Sequence, residues 1–313
     1  MKTGLVVEGG GMKCAYSAGV LDRFLDDGIS FDECIGVSAG AGNVASYLSG
    51  QRGRNLRFFI EHAQKPEYMG LSHFITKGSF FNLGYIYGEL SNADGDDPFF
   101  YAKARENPSA FLLTTTDAET GDARYFTKED MRANDYRVLM AGCAIPALCR
   151  PIELDGRKYY DGGVADPIPL QKAFDDGCEK VVVILENPRT FVRPPQGLKP
   201  AYHFLLRKYP KIREMIDNRH LRYRETLKWV YEMEKAGKIF IFAPPEGSGV
   251  STSTKEVSLL QKLYEAGIAD YDAQREAMLA YLEEKIWEKR NCVTNAKTNT
   301  IKTVKTERPQ SAD

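Results

Sequence analysis

Three glycine-rich turns, each directly after a short strand-like segment, constrain this chain more than any other feature of its sequence. The turns are Gly9-Gly10-Gly11, Gly36-Val37-Ser38-Ala39-Gly40 and Asp161-Gly162-Gly163. The segments before them, at 3–8, 33–37 and 157–160, have the length and composition of strands. Ligand sites of open α/β sheets lie where strands end, so the pattern predicts a single site assembled from three distant turns.

The first fifty residues have the pattern of a strand–helix–strand–helix unit. Residues 15–27 show helical spacing of apolar side chains, Gly28 fits a helix C-cap, and a second helix is predicted at 39–48. Two strands joined through a helix run parallel with a right-handed crossover. The chain therefore begins as an α/β protein.

Further elements extend this unit. A hairpin is predicted at 110–117 and 123–126, and a short helix at 136–143. The apolar run at 181–185 predicts a strand of the buried parallel kind. Residues 66–101, rich in Tyr, Phe and Gly, lack a clear period and predict an irregular excursion over the sheet edge.

The character of the chain changes after Pro194-Pro195. One long charged helical stretch is expected at 202–235, a last strand at 238–243 and another helix at 254–289. The end of the chain is rich in Thr, Lys and Asn, which is typical of disorder. These patterns divide the chain into an α/β domain at 1–190, a mostly helical region packed on it at 191–290, and a disordered tail at 291–313.

Composition excludes several classes of protein. The 313 residues carry a formal net charge of −1, whereas nucleic-acid proteins usually carry a basic excess. The six cysteines form no CxxC pair and have no histidine at zinc-ligand spacing, so buried thiols in a reducing compartment are expected. With no signal peptide or membrane span recognised, a cytoplasmic protein is predicted, with peripheral contact at the inner membrane surface at most.

Ser38 stands in a pattern that suits a nucleophile. A serine at a sharp strand-to-helix turn adopts a strained backbone, and Gly36 and Gly40 leave room for the close approach of strand and helix. The helix N-terminus then points at the serine, and the Ala39 amide points where an oxyanion would form. The motif alone also fits an ordinary tight turn.

The turn Gly9-Gly10-Gly11 lacks β-carbons, so its amides can approach a ligand closely and are candidates for an oxyanion hole. Lys13 could add positive potential there or bind a lipid phosphate. The alternative is a phosphate-binding loop of a nucleotide enzyme. The Walker pattern is absent, however, and Cys14 stands where the dinucleotide fingerprint needs glycine.

Asp161 is the candidate base that would take the serine proton. None of the four histidines lies in a glycine-flanked turn after a strand, whereas Asp161 precedes Gly162 and Gly163. A carboxylate is a weak base at its ordinary pKa, but burial raises that pKa and improves the match to catalysis near neutral pH. An ordinary Asp-Gly turn is the alternative.

Together the three motifs resemble the signatures of patatin-like phospholipases, over roughly residues 1 to 190. The resemblance implies a three-layer α/β fold with a mostly parallel central sheet, helices on both faces and a C-terminal helical extension. It implies a Ser38–Asp161 dyad, an oxyanion hole at Gly9 to Gly11, and neither metal nor cofactor. The expected activity is hydrolysis of acyl esters in phospholipids or lysophospholipids. Glu8 and Cys14 depart from the Asp and Gly that this family often has there.

Two segments are candidates for lipid contact. Aromatic residues between 68 and 101 could line an acyl pocket or form a secondary core: Phe74, Phe80, Phe81, Tyr85, Tyr87, Phe99 and Phe100. The stretch 207–235 has nine basic and five acidic residues, an excess of four, and either faces anionic headgroups or is a solvated surface. Acyl transfer with the same dyad, or lipid or phosphate binding without chemistry, remain the alternative functions.

Overall fold

The computed structural model describes residues 1–283. The predicted tail at 291–313 and the predicted end of the last helix, beyond residue 283, lie outside the described residues. By its contacts the chain divides into two units, Met1–Gln274 and Arg275–Asp313. The first unit contains the whole sheet, and of the second the structure describes only the helical residues up to Glu283.

Within the described residues one sheet contains eight strands. The strands are β1 (Thr3–Val7), β2 (Glu33–Val37), β3 (Ala110–Asp117), β4 (Ala123–Thr127), β5 (Ile152–Leu154), β6 (Arg157–Asp161), β7 (Lys180–Ile184) and β8 (Ile239–Phe242). Their order is β5-β6-β3-β2-β1-β7-β8, with β4 also paired to β3. The five strands from β3 to β8 in this order run parallel, and β4, β5 and β6 supply the antiparallel pairs.

Helices surround the sheet on the described part of the chain. They are α1 (Ala15–Asp26), α2 (Ala39–Leu48), α3 (Arg54–Ile60), α4 (Leu71–Lys77), α5 (Tyr101–Glu106), α6 (Arg137–Gly142), α7 (Leu170–Asp175), α8 (Lys199–Leu205), α9 (Pro210–Asp217), α10 (Arg219–Lys235) and α11 (Val257–Glu283). None of these described helices combines the length and apolar character that crossing a membrane requires.

Each face of the sheet is covered by a separate layer of helices. On one face, alternate strand residues such as Val6 and Val183 share a core with Leu170 of α7 and Leu227 of α10. On the other face, Phe24 of α1 packs edge-on against Phe242 of β8. The three-layer α/β fold with a mostly parallel sheet and helices on both faces is therefore confirmed.

The glycine-rich turns of the first fifty residues emerge at the same edge of this sheet. β1 and β2 pair in parallel, with Val7 opposite Gly36. β2 and β3 also pair in parallel, with Val37 opposite Thr114. The predicted strand–helix–strand–helix unit is confirmed, and the helix predicted at 39–48 has the bounds of α2.

β6 runs antiparallel to β3, with Asp161 opposite Thr115, and the sequence did not indicate this direction. An antiparallel strand would normally end at the far edge of the sheet. Only the last three residues of β6 pair with β3, from Tyr159 opposite Asp117 to Asp161, so the end of β6 is still near the edge where β1 and β2 end. The short strand β5 that pairs with β6 was not predicted either.

The single helix predicted at 202–235 is wrong. The segment forms the three helices α8, α9 and α10, which are separated around Tyr209 and Asn218. Pro210 begins α9 because proline lacks the N–H that a helix interior needs but fits the first helical turn. Residues 66–101 are mostly irregular as expected, although they also contain the short helix α4.

Candidate active site

Ser38 lies in the turn between β2 and α2 with φ 53° and ψ −132°, a backbone conformation that is strained for any residue except glycine. The strain is the geometric consequence of turning directly from a strand into a helix. The residue is 7% exposed and lines a cavity from which its hydroxyl can be reached.

Gly36 and Gly40 are required by close backbone contacts on either side of Ser38. A Cβ on Gly36 would stand 2.4 Å from Cα of Ala41, and a Cβ on Gly40 would stand 2.3 Å from the carbonyl oxygen of Glu8. Both distances are too short for any side chain. The glycine pattern therefore reflects the packing of α2 against the ends of β1 and β2.

Ser38 and Asp161 meet through the register of the sheet. Ser38 follows Val37, which is opposite Thr114, and is thus level with Thr115, the partner of Asp161. The Ser38 hydroxyl donates a hydrogen bond of 2.5 Å to Oδ2 of Asp161. The two residues that the sequence singled out as nucleophile and base are therefore adjacent, on either side of β3.

Asp161 is held by further hydrogen bonds, one to its carboxyl group and one to its backbone. The Gly163 amide donates to Oδ1 at 2.8 Å, and the Thr116 hydroxyl donates to the Asp161 carbonyl at 2.8 Å. Gly162 has no space for a side chain, because a Cβ there would stand 2.2 Å from the carbonyl oxygen of Thr114. Both glycines after Asp161 thus contribute to the position of the carboxyl group.

Burial raises the pKa of Asp161, although the hydrogen bond from Ser38 and the positive charge of Arg219 act in the opposite direction. A raised pKa makes a carboxylate a stronger base. The electrostatics therefore favour proton uptake by Asp161 more than they would for an exposed aspartate.

The glycine loop after β1 presents backbone amides beside Ser38. A Cβ on Gly9 would stand 2.8 Å from Cβ of Ser38, so the loop passes directly over the serine. Outside the regular helices and strands of the described residues, the amides of Gly9, Gly11 and Ala39 donate no backbone hydrogen bond, whereas the Gly10 amide also faces the sulfur of Cys14. The first three amides are therefore available as donors to an oxygen atom at the serine.

Gly11 adopts φ +59°, where a β-carbon would also collide with the carbonyl oxygen of Thr252 at 2.5 Å. The Met12 amide donates to the same carbonyl at 3.1 Å. This contact anchors the loop to the segment before α11. Cys14 is buried at the N-terminus of α1, and its thiol donates a hydrogen bond of 3.8 Å to the Glu8 carbonyl at the start of the loop.

Glu8 connects the glycine loop with α10. Its buried carboxylate accepts hydrogen bonds from the Tyr223 hydroxyl at 2.7 Å, the Glu186 amide at 2.8 Å and the Asn187 side chain at 3.1 Å. Lys13 donates to the oxygen of the same Asn187 side chain at 2.6 Å. The pattern of the sequence gave no indication of Tyr223, because the contact joins residues 215 positions apart.

Two cavities meet at Ser38. The larger one, of about 430 Å³, is lined by the glycine loop, Ser38, Asp161, Lys13 and residues of α4, α8, α9 and α10. The smaller one, of about 50 Å³, is mainly apolar and aromatic. Gly11, Ser38 and Ile145 line both cavities. A substrate whose ester lies at Ser38 can therefore extend into both cavities.

The aromatic excursion contributes to both cavities and to the core. Phe81 and Tyr87 line the smaller cavity, and Phe74 lines the larger one. Tyr85 is buried, whereas Phe100 is 46% exposed. Some residues of the segment therefore line the cavities at Ser38 and others are buried in the core, while the acyl pocket stays a prediction.

The histidines lie elsewhere. His62 contacts Asp97, His203 contacts Asp217, and His73 contacts the carbonyl of Pro66. Among the described residues no histidine lines either cavity. The sequence also missed Arg193 and Arg219, which line the larger cavity beside Asp161. Arg219 was grouped with a basic surface because its neighbours in the sequence are charged.

Two family models and several known proteins match parts of this chain. The model of the patatin-like phospholipase family matches residues 5–174, and a domain of unknown function (DUF6363) matches residues 209–283. The chain is 25% identical over 266 residues to the uncharacterized protein YjjU of Escherichia coli K12, covering 84% of this chain and 74% of that protein. It is 24% identical over 251 residues to the uncharacterized protein YqhO of Bacillus subtilis 168, covering 71% of this chain and 84% of that protein.

Among solved structures, the crystal structure of VipD from Legionella pneumophila aligns with a TM-score of 0.44 at 12% identity, covering 88% of this chain and 67% of that one. The family model covers more than half of the present sequence and includes all three glycine-rich turns. This chain therefore belongs to the patatin-like phospholipase family.

Proposed function

We propose that this protein hydrolyses acyl esters of phospholipids or lysophospholipids, with Ser38 as nucleophile and Asp161 as general base. The observation that carries the proposal is the hydrogen bond from the Ser38 hydroxyl to the buried Asp161 carboxylate, at a strained strand-to-helix turn. A hydroxyl becomes an effective nucleophile only when a base accepts its proton, and this pair has the required contact.

In the first step Oγ of Ser38 attacks the ester carbonyl carbon while its proton passes to Oδ2 of Asp161. The carbonyl oxygen becomes an oxyanion that accepts hydrogen bonds from the amides of the glycine loop and of Ala39. Each such donor contributes about 3 kcal/mol in comparable enzymes. Asp161 then gives the proton to the oxygen of the leaving alcohol, and an acyl ester of Ser38 remains.

Water completes the reaction in a second step. The oxygen of a water molecule attacks the acyl carbon while Asp161 takes one proton from that water molecule. The same amides bind the second oxyanion. Collapse of this intermediate releases the fatty acid and returns the proton to Oγ of Ser38. If an alcohol replaced water here, the product would be a transferred acyl group, so the identity of the acceptor distinguishes hydrolase from acyltransferase.

The test is mass spectrometry of the products that form from a mixed lipid extract and from single lysophospholipids, for the wild type and for Ser38→Ala. The proposal predicts free fatty acid and deacylated glycerophosphodiester from the wild type alone. Appearance of the same products with Ser38→Ala would refute the role of Ser38. New acyl esters in place of free fatty acid would indicate acyl transfer.

We further propose that substrate enters from a membrane surface near α4 and α8. Both helices line the larger cavity through Phe74 and Leu205, and both expose apolar side chains outside it. Ile75 of α4 is 75% exposed and Phe204 of α8 is 67% exposed. Co-sedimentation with vesicles should fall in an Ile75→Ser, Phe204→Ser double variant, and unchanged binding would refute this entry route.

A further inference from the structure

Two arginine side chains from outside the matched patatin-like segment reach the cavity that contains Ser38. Arg193 lies in the loop after β7, and Arg219 is the first residue of α10. Neither makes a close ion pair with a carboxylate of the described residues, although the charge of both arginines acts on Asp161 and lowers its pKa. The Nε atom of each guanidinium is buried and, in the same part of the chain, lacks an acceptor. Each of these partly buried cations therefore faces the cavity with an unpaired Nε donor, although the Asp161 carboxylate is near enough to interact with their charge.

This arrangement is costly in the absence of a ligand. Removing a guanidinium from water is unfavourable unless charge and hydrogen bonds replace the lost hydration. Burial and the neighbouring charge of Arg193 lower the pKa of Arg219 to about 10, so the side chain still carries its charge at neutral pH. Arg193 stacks over the Tyr223 ring, with Cζ 4.5 Å from the ring centroid, which fixes its position but neutralises no charge.

The two arginines are close to the dyad and on one side of it. An Nη2 atom of Arg219 lies 3.4 Å from the point where a Cβ on Gly163 would stand, and Oδ1 of Asp161 lies 3.1 Å from the same point. Lys13 lines this cavity as well. The smaller cavity beyond Ser38 contains none of these cations and is lined mainly by apolar side chains. The charge around Ser38 is therefore asymmetric.

We propose that Arg193 and Arg219, with Lys13 beside them, bind the phosphate group of the lipid whose ester is attacked by Ser38. The inference rests on the proposed hydrolase function. Guanidinium groups bind phosphate through paired, charge-assisted hydrogen bonds, and two of them match a group with several anionic oxygens. A glycerophospholipid has its ester between an acyl chain and a phosphate, which matches an apolar and a cationic cavity that meet at Ser38.

The kinetic test uses two substrates that differ only in the phosphate: 1-decanoyl lysophosphatidic acid and 1-decanoylglycerol. Both are assayed as monomers, on the pH plateau of activity, with wild type, Arg193→Gln, Arg219→Gln and the control Arg224→Gln. Arg224 lies on α10 but is exposed and outside both cavities. We expect the ratio of kcat/KM for the phosphate ester over the neutral ester to fall roughly 10- to 100-fold in each of the first two variants. Arg224→Gln should leave the ratio unchanged.

Two outcomes would overturn the subsite. An unchanged ratio in Arg193→Gln and Arg219→Gln would mean that neither arginine contacts the phosphate. An equal loss for both substrates would mean that the arginines support the dyad or the fold instead. Arg193→Lys and Arg219→Lys control for the fold: they retain the charge but lose the planar fork, so partial recovery of the ratio supports the proposal.

A binding experiment separates failure of the subsite from failure of the proposed function. Calorimetry with Ser38→Ala uses the same two lipids, followed by inorganic phosphate and glycerol 3-phosphate. One outcome is that the wild type hydrolyses neither ester. In that case the subsite is still supported if the protein binds the phosphate lipid more tightly than the neutral lipid and if this preference requires Arg193 and Arg219. Equal affinity for both lipids would refute it. Inorganic phosphate that binds as tightly as the phosphate lipid would identify free phosphate as the ligand and overturn the assignment to a lipid headgroup.

Discussion

The Tyr223 hydroxyl donates a hydrogen bond of 2.7 Å to the carboxylate of Glu8, the residue directly before the glycine loop. Both groups are buried. The contact connects the N-terminal strand β1 with α10, which belongs to the segment matched by the domain of unknown function. In this chain the candidate oxyanion amides are therefore positioned partly by a residue outside the matched patatin-like segment.

Tyr223→Phe tests whether this contact positions the glycine loop. Removing one hydrogen bond to a buried carboxylate costs about 1.5–3 kcal/mol. We expect kcat to fall roughly 10-fold with little change in KM, since the loop would still bind the ester but hold the oxyanion less well. Tyr231→Phe is the matched control, because that hydroxyl contacts only the Arg189 carbonyl, at 3.0 Å on the surface of the same helix. Equal kinetics of the two variants would contradict the prediction.

Gly40→Ala tests the packing of α2 against β1. The new methyl group would overlap the Glu8 carbonyl oxygen at 2.3 Å, so we expect a loss of stability of about 1–3 kcal/mol together with most of the activity. Gly84→Ala is the control, because Gly84 has helical φ and ψ of −64° and −37° and only a distant neighbour. That variant should be unchanged or more stable by about 0.5 kcal/mol. Urea denaturation measures both, and equal stabilities would contradict the close contact.

Asp161→Asn retains the size of the side chain but cannot accept the serine proton. We expect turnover to fall by roughly 100- to 10,000-fold, the usual contribution of a general base. Circular dichroism should show an intact fold, since the amide oxygen can still accept the hydrogen bond from Gly163 while the amide NH2 group can donate to Oγ of Ser38. Near-normal turnover of the folded variant would mean that another group activates Ser38.

The pH profile of kcat/KM tests the environment of Asp161. The base must be deprotonated, so activity should rise as the pH increases through its pKa, and burial places that rise above the ordinary value near 4. In Arg219→Gln the rise should move to still higher pH, because the positive charge that lowers the pKa is absent. A profile with its acidic limb at or below the ordinary value would contradict the raised pKa.

Much of the fold could be predicted because local patterns and tertiary structure agree in the N-terminal half. The apolar segments before Gly9 and Ser38 are short, uniformly buried strands, and their glycines are required by contacts that leave no space for a β-carbon. The adjacency of Ser38 and Asp161 followed from the resemblance of three turns to one family. The direction of β6 did not follow, because nothing in its five residues indicates which neighbour it pairs with.

The rest of the site depends on contacts over long distances in the sequence. Tyr223 and Arg219 lie in a helix whose charged residues suggest a solvated surface. The fold nevertheless buries Tyr223 against Glu8 and places Arg219 in the wall of the cavity beside Asp161. Periodicity assigns residues to faces of a helix but does not identify the element that a face contacts. The interruption at Pro210 was missed for a related reason, since the charged pattern continues on both sides of it.

The most direct test of the central claim is peptide mapping by mass spectrometry after reaction with a fluorophosphonate probe, which phosphonylates activated serines. The account predicts one adduct per chain, located on Ser38, with labelling at least roughly 100-fold slower in Asp161→Asn. Labelling at another serine, or no adduct on the folded wild-type protein, would contradict the account.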